Sequence, residues 1–416
     1  MSAPAFNSTQ SFVAESPRSM QTRKLWRQRW ILIHRWIGFA AGAFLVVAGL
    51  TGSLYVFYQE IAESLVPDLF LVQASPGGRA AYRPWREIIE AGDSHKPAGT
   101  VLSGLIGPRN DRAAARLSYA ETGDSSHGHS SYELCVNPYT GELLGRSTLD
   151  EHPVWRVCSF LFELHYALKL GEFGGIVVGS VAIVGLISVL SGLYLWWPRW
   201  SALRHALTIK RNAGPVRVNH DLHRATGFYS SIVLGAVLLS GVWMNFNPQF
   251  IWAVKLFSPQ TRAGDADVPR SSVTSNHPAL PLAAFLDDFC RESSGARLNW
   301  VSLPDQTDGV VTVSFVEVPG STVSHWSERT LYIDAATGKA LRVDDPATRR
   351  TAGETFLAWQ WPLHSGKAFG WPGRLAVFAA GFVPLVLYIT GIRIWLRKRR
   401  AARARLKPYP ATSLVL

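Results

Sequence analysis

Four stretches of this 416-residue chain, 36–59, 173–198, 225–254 and 375–392, contain no Asp, Glu, Lys or Arg. Each reaches the roughly 17–25 residues that a helix needs to cross about 30 Å of hydrocarbon. Isolated strands would leave backbone groups unpaired in lipid, so the spacing predicts four membrane-crossing helices. Tyr55, Tyr58, Tyr194, Trp196, Trp197 and Trp395 gather at their ends, where amphipathic rings meet the headgroups. The first stretch does not read as a signal peptide. It is too long, lacks a clear small-residue cleavage site, and is entered by an Arg/Trp run.

The formal net charge is +12, and its distribution is more informative than its size. Residues 1–36 hold six Lys/Arg against one acid, residues 198–224 six against one, and residues 393–416 eight against none. Those pieces sum to +18 and the remainder to −6. The positive-inside rule places both termini and the middle loop in the cytoplasm. The connections 60–172 and 255–374 then lie outside, in the periplasm of a Gram-negative cell. The basic runs flank the spans and form no domain of their own, so the partner they imply is a lipid bilayer and no nucleic acid. The chain is too apolar and aromatic for a disordered protein. Cys135, Cys158 and Cys290 contain no C-x-x-C, which excludes a zinc ribbon and the attachment site of a c-type haem.

The chain repeats itself. Ile33-His34-Arg35-Trp36-Ile37-Gly38-Phe39 opens the first span and Leu222-His223-Arg224-Ala225-Thr226-Gly227-Phe228 the third. A hydroxyl–glycine pair follows each, Thr51-Gly52 and Ser240-Gly241. Leu164-His165 leads to Gly171, Gly174 and Ser191-Gly192; Leu363-His364 leads at the same offsets to Gly370, Gly373 and Thr390-Gly391. Between the spans, Asn137-Pro138-Tyr139-Thr140-Gly141 parallels Asp334-Ala335-Ala336-Thr337-Gly338, a hairpin signal in each segment. Helical patches precede them around 85–90 and 282–290. Span, small α+β domain and span thus occur twice in parallel, about a pseudo-two-fold axis along the membrane normal.

Symmetry brings His34 to His223 at the cytoplasmic side and His165 to His364 at the external side. A single histidine at a membrane edge is usually an interfacial hydrogen-bonding residue. Two facing imidazoles in an apolar bundle are what a six-coordinate haem b requires. Four such residues therefore predict two bis-His haem b groups, with iron ligands His34, His223, His165 and His364. His220, one turn before His223, is a reserve ligand without a counterpart, because position 31 is Ile. Gly52, Gly241, Gly192 and Gly391, with Gly38 and Gly227, either leave room for the flat cofactor or serve close helix packing. Arg35 and Arg224 either pair with propionates or snorkel to lipid phosphate. Lys169, Lys367 and Arg374 are candidates for the same part outside. Eighteen residues of helix separate His34 from Gly52, a rise of about 27 Å, which would place the two groups near opposite faces. His127 and His129 are weaker candidates for a metal site in a polar loop.

The His-Arg-x-x-Gly openings, the Leu-His segments with their spaced glycines and the two Asx-x-x-Thr-Gly turns resemble the PepSY-associated transmembrane family over about residues 20–400. That family includes iron-regulated inner-membrane proteins and ferric-siderophore reductases, and the likeness to ferrioxamine-type reductases is good. The resemblance implies an integral membrane α-helical fold with four transmembrane helices in parallel internal duplication and two small α+β, PepSY-like periplasmic domains. It also implies a bacterial inner-membrane oxidoreductase that reduces a periplasmic Fe(III)-siderophore and releases Fe(II). Electrons would come from an unidentified cytoplasmic or quinol donor, since no G-x-G-x-x-G or Walker A motif is present.

The boundaries expected are a disordered cytoplasmic tail 1–22, a first span 23–60, an external domain 61–152 and an interfacial helix with the second span 153–198. A cytoplasmic loop 199–219, a third span 220–255, a second external domain 256–350, an interfacial segment with the fourth span 351–398 and a tail 399–416 complete the chain. The alternative function is a PepSY-type periplasmic binding or regulatory protein without redox activity. A transporter built on parallel repeats is a further rival, but no span carries a charge at its middle.

Overall fold

The computed structural model describes residues 17–121, 132–198, 200–210, 212–260, 269, 281–293, 295–304, 309–319, 327–348 and 351–405. The start of the expected N-terminal tail, the loop holding His127 and His129, and the chain beyond residue 405 lie outside the described residues. Two compact units are formed, Met1–Val46 with Val181–Gly235 and Val383–Leu416, and Val47–Ser180 with Ala236–Phe382.

The helices are α1 (Pro17–Ala40), α2 (Gly42–Tyr55), α3 (Tyr58–Leu65), α4 (Pro67–Phe70), α5 (Trp85–Asp93), α6 (Pro153–Ala167) and α7 (Gly171–Trp196). They continue with α8 (Leu203–Leu207), α9 (Pro215–Asn245), α10 (Asn247–Lys255), α11 (Leu282–Glu292), α12 (Ala352–Ala358), α13 (Gln360–His364) and α14 (Gly370–Arg405). α7, α9 and α14 lie in the three helices long and apolar enough to cross a membrane unaided. The first charge-free stretch differs from expectation. It is broken at Ala41, and its two parts are bent by 52°. Gly42 follows the break, and a Cβ there would stand 2.6 Å from the Tyr388 ring. Glycine weakens a helix interior, and its bare backbone admits the tyrosine. The straight 27 Å rise expected along the first span therefore does not hold.

The second unit contains an antiparallel sheet. Its strands are β1 (Thr100–Ile106), β2 (Ala115–Glu121), β3 (Tyr132–Val136), β4 (Leu143–Arg146), β5 (Arg297–Ser302), β6 (Val310–Val316), β7 (Glu328–Asp334) and β8 (Ala340–Asp344). Their order is β4-β3-β2-β1-β5-β6-β7-β8. The segments 61–152 and 256–350, each expected to form a small α+β domain, thus contribute four strands apiece to one sheet. The join is Gly104↔Ser302, Leu105↔Val301 and Ile106↔Trp300. β1 and β5 would otherwise be bare edges with unpaired backbone groups. Gly104 permits the approach, since a Cβ there would lie 2.8 Å from the Val301 carbonyl oxygen.

Strand alternation builds one core. Leu117 and Tyr119 of β2, and Val313 and Phe315 of β6, are fully buried on the face covered by Trp85 and Ile88 of α5 and Leu286 of α11. Burying each such side chain contributes about 1.5–3 kcal/mol. The expected hairpins form where the Asx residues stand. Asn137 Oδ1 accepts from Tyr139 N at 3.0 Å, Asp334 Oδ1 accepts from Ala336 N and Thr337 N, and Gly141 and Gly338 supply φ of 73° and 68°.

α5 has no capping side chain of its own. Asp287 of α11 replaces it, accepting from Trp85 N at 2.6 Å and Arg86 N at 3.4 Å. Asp287→Ala should therefore cost about 1 kcal/mol, the usual worth of an N-cap. A lower thermal midpoint of the purified protein would register it; an unchanged midpoint would mean that water caps the helix equally well.

Candidate functional site

In the first unit, His34 of α1 and His223 of α9 are half-buried. His34 Nδ1 lies 3.0 Å from Ser191 Oγ on α7, and His223 Nδ1 lies 2.8 Å from Thr390 Oγ1 on α14. Each ring also faces the glycine that follows its hydroxyl. A Cβ on Gly192 would stand 3.2 Å from His34 Cε1, and one on Gly391 3.5 Å from His223 Cε1. Asn219, one turn before His223, donates to the Thr390 carbonyl at 3.1 Å.

The second unit repeats the arrangement. His165 Nδ1 lies 2.8 Å from the Ala48 carbonyl oxygen of α2, and a Cβ on Gly52 would stand 2.5 Å from His165 Cε1. His364 Nδ1 lies 2.9 Å from Ser240 Oγ and 3.2 Å from the Val237 carbonyl oxygen, both on α9. The His165 and His364 ring centroids are 6.0 Å apart with planes inclined by 55°.

Two tight corners deliver these imidazoles. Leu168, Lys169 and Gly171 take φ of 50°, 60° and 58° between α6 and α7; Gly366 and Gly370 take 74° and 59° between α13 and α14. A Cβ on Gly174 would overlap the Ala167 carbonyl oxygen, and one on Gly373 would overlap that of Gly366. The spaced glycines after each Leu-His are therefore backbone requirements of the corner.

The hydrogen bonds determine the tautomer. Ser191, Thr390 and Ser240 each give their own proton to a carbonyl one turn back in the same helix, the usual bond of a mid-helix hydroxyl. Their oxygens accept from histidine, and the carbonyl that meets His165 can only accept. All four imidazoles thus carry the proton on Nδ1. Nε2 is left as a lone pair, and among the described residues it forms no hydrogen bond. That is the form in which histidine ligates a metal, with its second nitrogen anchored to an acceptor.

A metal between two imidazole nitrogens at about 2.0–2.1 Å each would put the ring centres about 6 Å apart. His165 and His364 stand at that separation. The spacing of this pair fits a bis-His haem. No group of three or more His, Cys, Asp or Glu gathers as a metal site among the described residues, and two axial ligands do not require one.

Other expected contacts fall elsewhere. Gly52, Gly192 and Gly391 stand against imidazoles, while the Gly241 carbonyl accepts from Asn245 Nδ2 at 2.9 Å. Arg224 binds the His205 carbonyl at 2.7 Å and the buried Asp221 at 3.1 Å. Arg35 stands 5.5 Å from the Trp36 ring centre, and its buried Nε forms no hydrogen bond among the described residues. Lys169 pairs with Glu163. Arg374 forms a fork on Glu60 at 2.8 and 2.7 Å. Lys367 opens the short turn ahead of α14. His220 is exposed and forms no hydrogen bond among the described residues. Outside the spans, Arg109 completes the Glu60 cluster, and its bond to Glu63 pushes its pKa further up.

Sequence reasoning noted the hydroxyl–glycine pairs but gave a role only to the glycines. The available signal was the cost of keeping Ser or Thr at four matching positions inside lipid-spanning segments.

The family model of the PepSY-associated TM region matches residues 31–398. The chain belongs to that family. With its apolar helices, this makes it a multi-pass α-helical membrane protein whose second unit bears an eight-stranded sheet. No curated protein matches it in sequence. In this PepSY-associated chain the match runs from α1 through α14 and includes all four histidines.

Proposed function

We propose that this chain is a di-haem b oxidoreductase of the bacterial inner membrane, which reduces a periplasmic ferric siderophore and releases Fe(II). The observation that carries it is the set of four anchored imidazoles, each presenting a bare Nε2. His34 and His223 would hold one group and His165 and His364 the other. A haem b held in this way accepts and passes on one electron at a time. The chain's own part is to fix the imidazoles, keep their protons on Nδ1 and surround them with apolar helices. One electron converts the bound Fe(III) to Fe(II), which hard oxygen ligands hold less tightly.

The two matching corners, with Gly171 and Gly370 at φ of 58° and 59°, support the reading of a parallel duplication. The basic flanks support cytoplasmic termini and a periplasmic sheet. The siderophore as substrate, and a quinol or cytoplasmic reductant as donor, rest on the motif resemblance.

An optical spectrum of detergent-purified protein tests the core of this reading. A Soret band that shifts on dithionite reduction is expected. Colourless protein from cells supplied with haem precursors would sink it and favour a PepSY-type binding protein.

A further inference from the structure

Cations gather at one end of the first unit. α14 continues past its apolar stretch as a helix to Arg405, and Arg393, Arg397, Lys398, Arg399, Arg400 and Arg403 are exposed along it. Lys24 and Arg27 of α1 and Lys210 ahead of α9 are exposed as well. Contacts between the helices hold these segments together. The Phe39 ring of α1 lies 5.3 Å from that of Trp395, and Asn219 of α9 donates to the Thr390 carbonyl of α14 at 3.1 Å. Among the described residues of this unit, Asp221 is the only acid. It is 1% exposed and bridged by Arg217 at 3.0 Å and Arg224 at 3.1 Å. The exposed surface of this end is therefore of one sign.

Orientation in the membrane accounts for cations near the ends of spans, but not for the form of this end. The helix from Leu396 to Arg405 rises about 13 Å, whereas headgroups cover about 5–8 Å on each side of the hydrocarbon. Arg397, Lys398, Arg399 and Arg400 follow one another at steps of about 100°, so charge faces every side of the helix and no side is left to lie against lipid. Like charges one turn apart, Arg393 with Arg397 and Arg399 with Arg403, destabilise a helix, and an acidic partner relieves that repulsion.

We infer that this end of the unit docks a small acidic electron-carrier protein. The inference rests on the di-haem reading and names the donor which that reading leaves open. His34 and His223 belong to the same unit, and the chain has no nucleotide-binding motif of its own, so another molecule must bring the electrons. A surface of one sign raises the encounter rate with an opposite one by about 10- to 1,000-fold at low salt, and electron-transfer encounters need only a small contact. One electron leaves the reduced carrier, which is oxidised, and reduces the ferric iron that the His34–His223 pair would hold. No bond forms or breaks, and no proton moves.

The test is the binding of two oxidised carriers, an acidic iron–sulfur ferredoxin and an acidic flavodoxin, to the purified holoprotein in phosphatidylcholine nanodiscs. Both should associate at low salt. The association rate should fall by about tenfold or more at physiological salt, where the Debye length is about 8 Å. Arg397→Gln, Lys398→Gln, Arg399→Gln and Arg400→Gln combined should lower the low-salt rate by about tenfold or more. Gln keeps the helix propensity, so the thermal midpoint should hold, and dithionite should reduce this variant as it reduces the unaltered protein. Arg86→Gln, at an exposed position of the other unit, should leave the rate unchanged. Failure of both carriers to associate would overturn the inference, as would association indifferent to salt or to the substitutions in a folded variant. So would loss of carrier binding in nanodiscs containing phosphatidylglycerol, because lipid headgroups would then occupy the patch. The salt series needs no variant and decides the case even where the substituted protein fails to fold. Binding of oxidised carriers is read without haem. Colourless protein would remove the functional reading instead, and the optical spectrum identifies that case separately.

Discussion

Ala at position 165 should leave purified protein with about half of its haem, and Ala at position 364 should do the same. The two rings stand 6.0 Å apart, the separation that a shared iron would require. The double variant should therefore lose no more than either single one, the non-additivity expected of residues acting as a unit. His34→Ala should remove the other half, and His34→Ala combined with His165→Ala should be colourless. Haem content per protein, read by extraction and absorbance, checks each case. Unchanged content in His165→Ala would break the pairing; unchanged content in His34→Ala would return His220 to consideration. The last outcome is not expected, since His220 lies exposed and forms no hydrogen bond among the described residues.

Gly174→Ala should cost at least about 3 kcal/mol, because the new methyl would overlap a backbone carbonyl that no rotamer can move aside. The Ala167 oxygen lies where the Cβ would go, and the segment around it has already turned through positive φ at Leu168, Lys169 and Gly171. The corner would have to open, and His165 would leave its bond to the Ala48 carbonyl. A large fall in the thermal midpoint in detergent is expected, together with loss of haem from one site. Gly373→Ala should behave alike. Gly235→Ala is the comparison, since a Cβ there meets nothing within 4 Å. Its midpoint should stay level or rise slightly, as helix propensity favours Ala. A Gly174→Ala protein as stable as Gly235→Ala would show that the corner is soft.

Much of this was legible in the residues. Absence of charge marked the apolar stretches because a charge in hydrocarbon is costly, and that cost is local to each segment. The hairpins at Asn137 and Asp334 were legible because an Asx side chain bonds its own backbone two or three residues on. The four histidines stood out through spacing alone. The anchors did not, since Ser191 meets His34 across 157 positions of sequence. Gly174 and Gly373 stood out in the sequence only as marks of the repeat. A Cβ on either would meet the chain's own carbonyls, a constraint created by the corner's fold.

The bent first span shows the same division. Nothing in the composition of the 36–59 stretch separates it from the others. The break at Ala41 reflects Tyr388 lying against Gly42, and a packing contact of that kind has no local signature. The sheet is a second case. Alternation within each strand is a local property, but the pairing of β1 with β5 joins edges that either half would leave open.

The sequence by itself determined the apolar helices, the strand turns and the spacing of the four histidines, because desolvation, turn chemistry and periodicity act over a few residues. Tertiary structure alone decided the single sheet, the break in the first span and the acceptor that each imidazole meets. Those depend on segments far apart in the chain, whose contacts exist only once the helices and strands have packed.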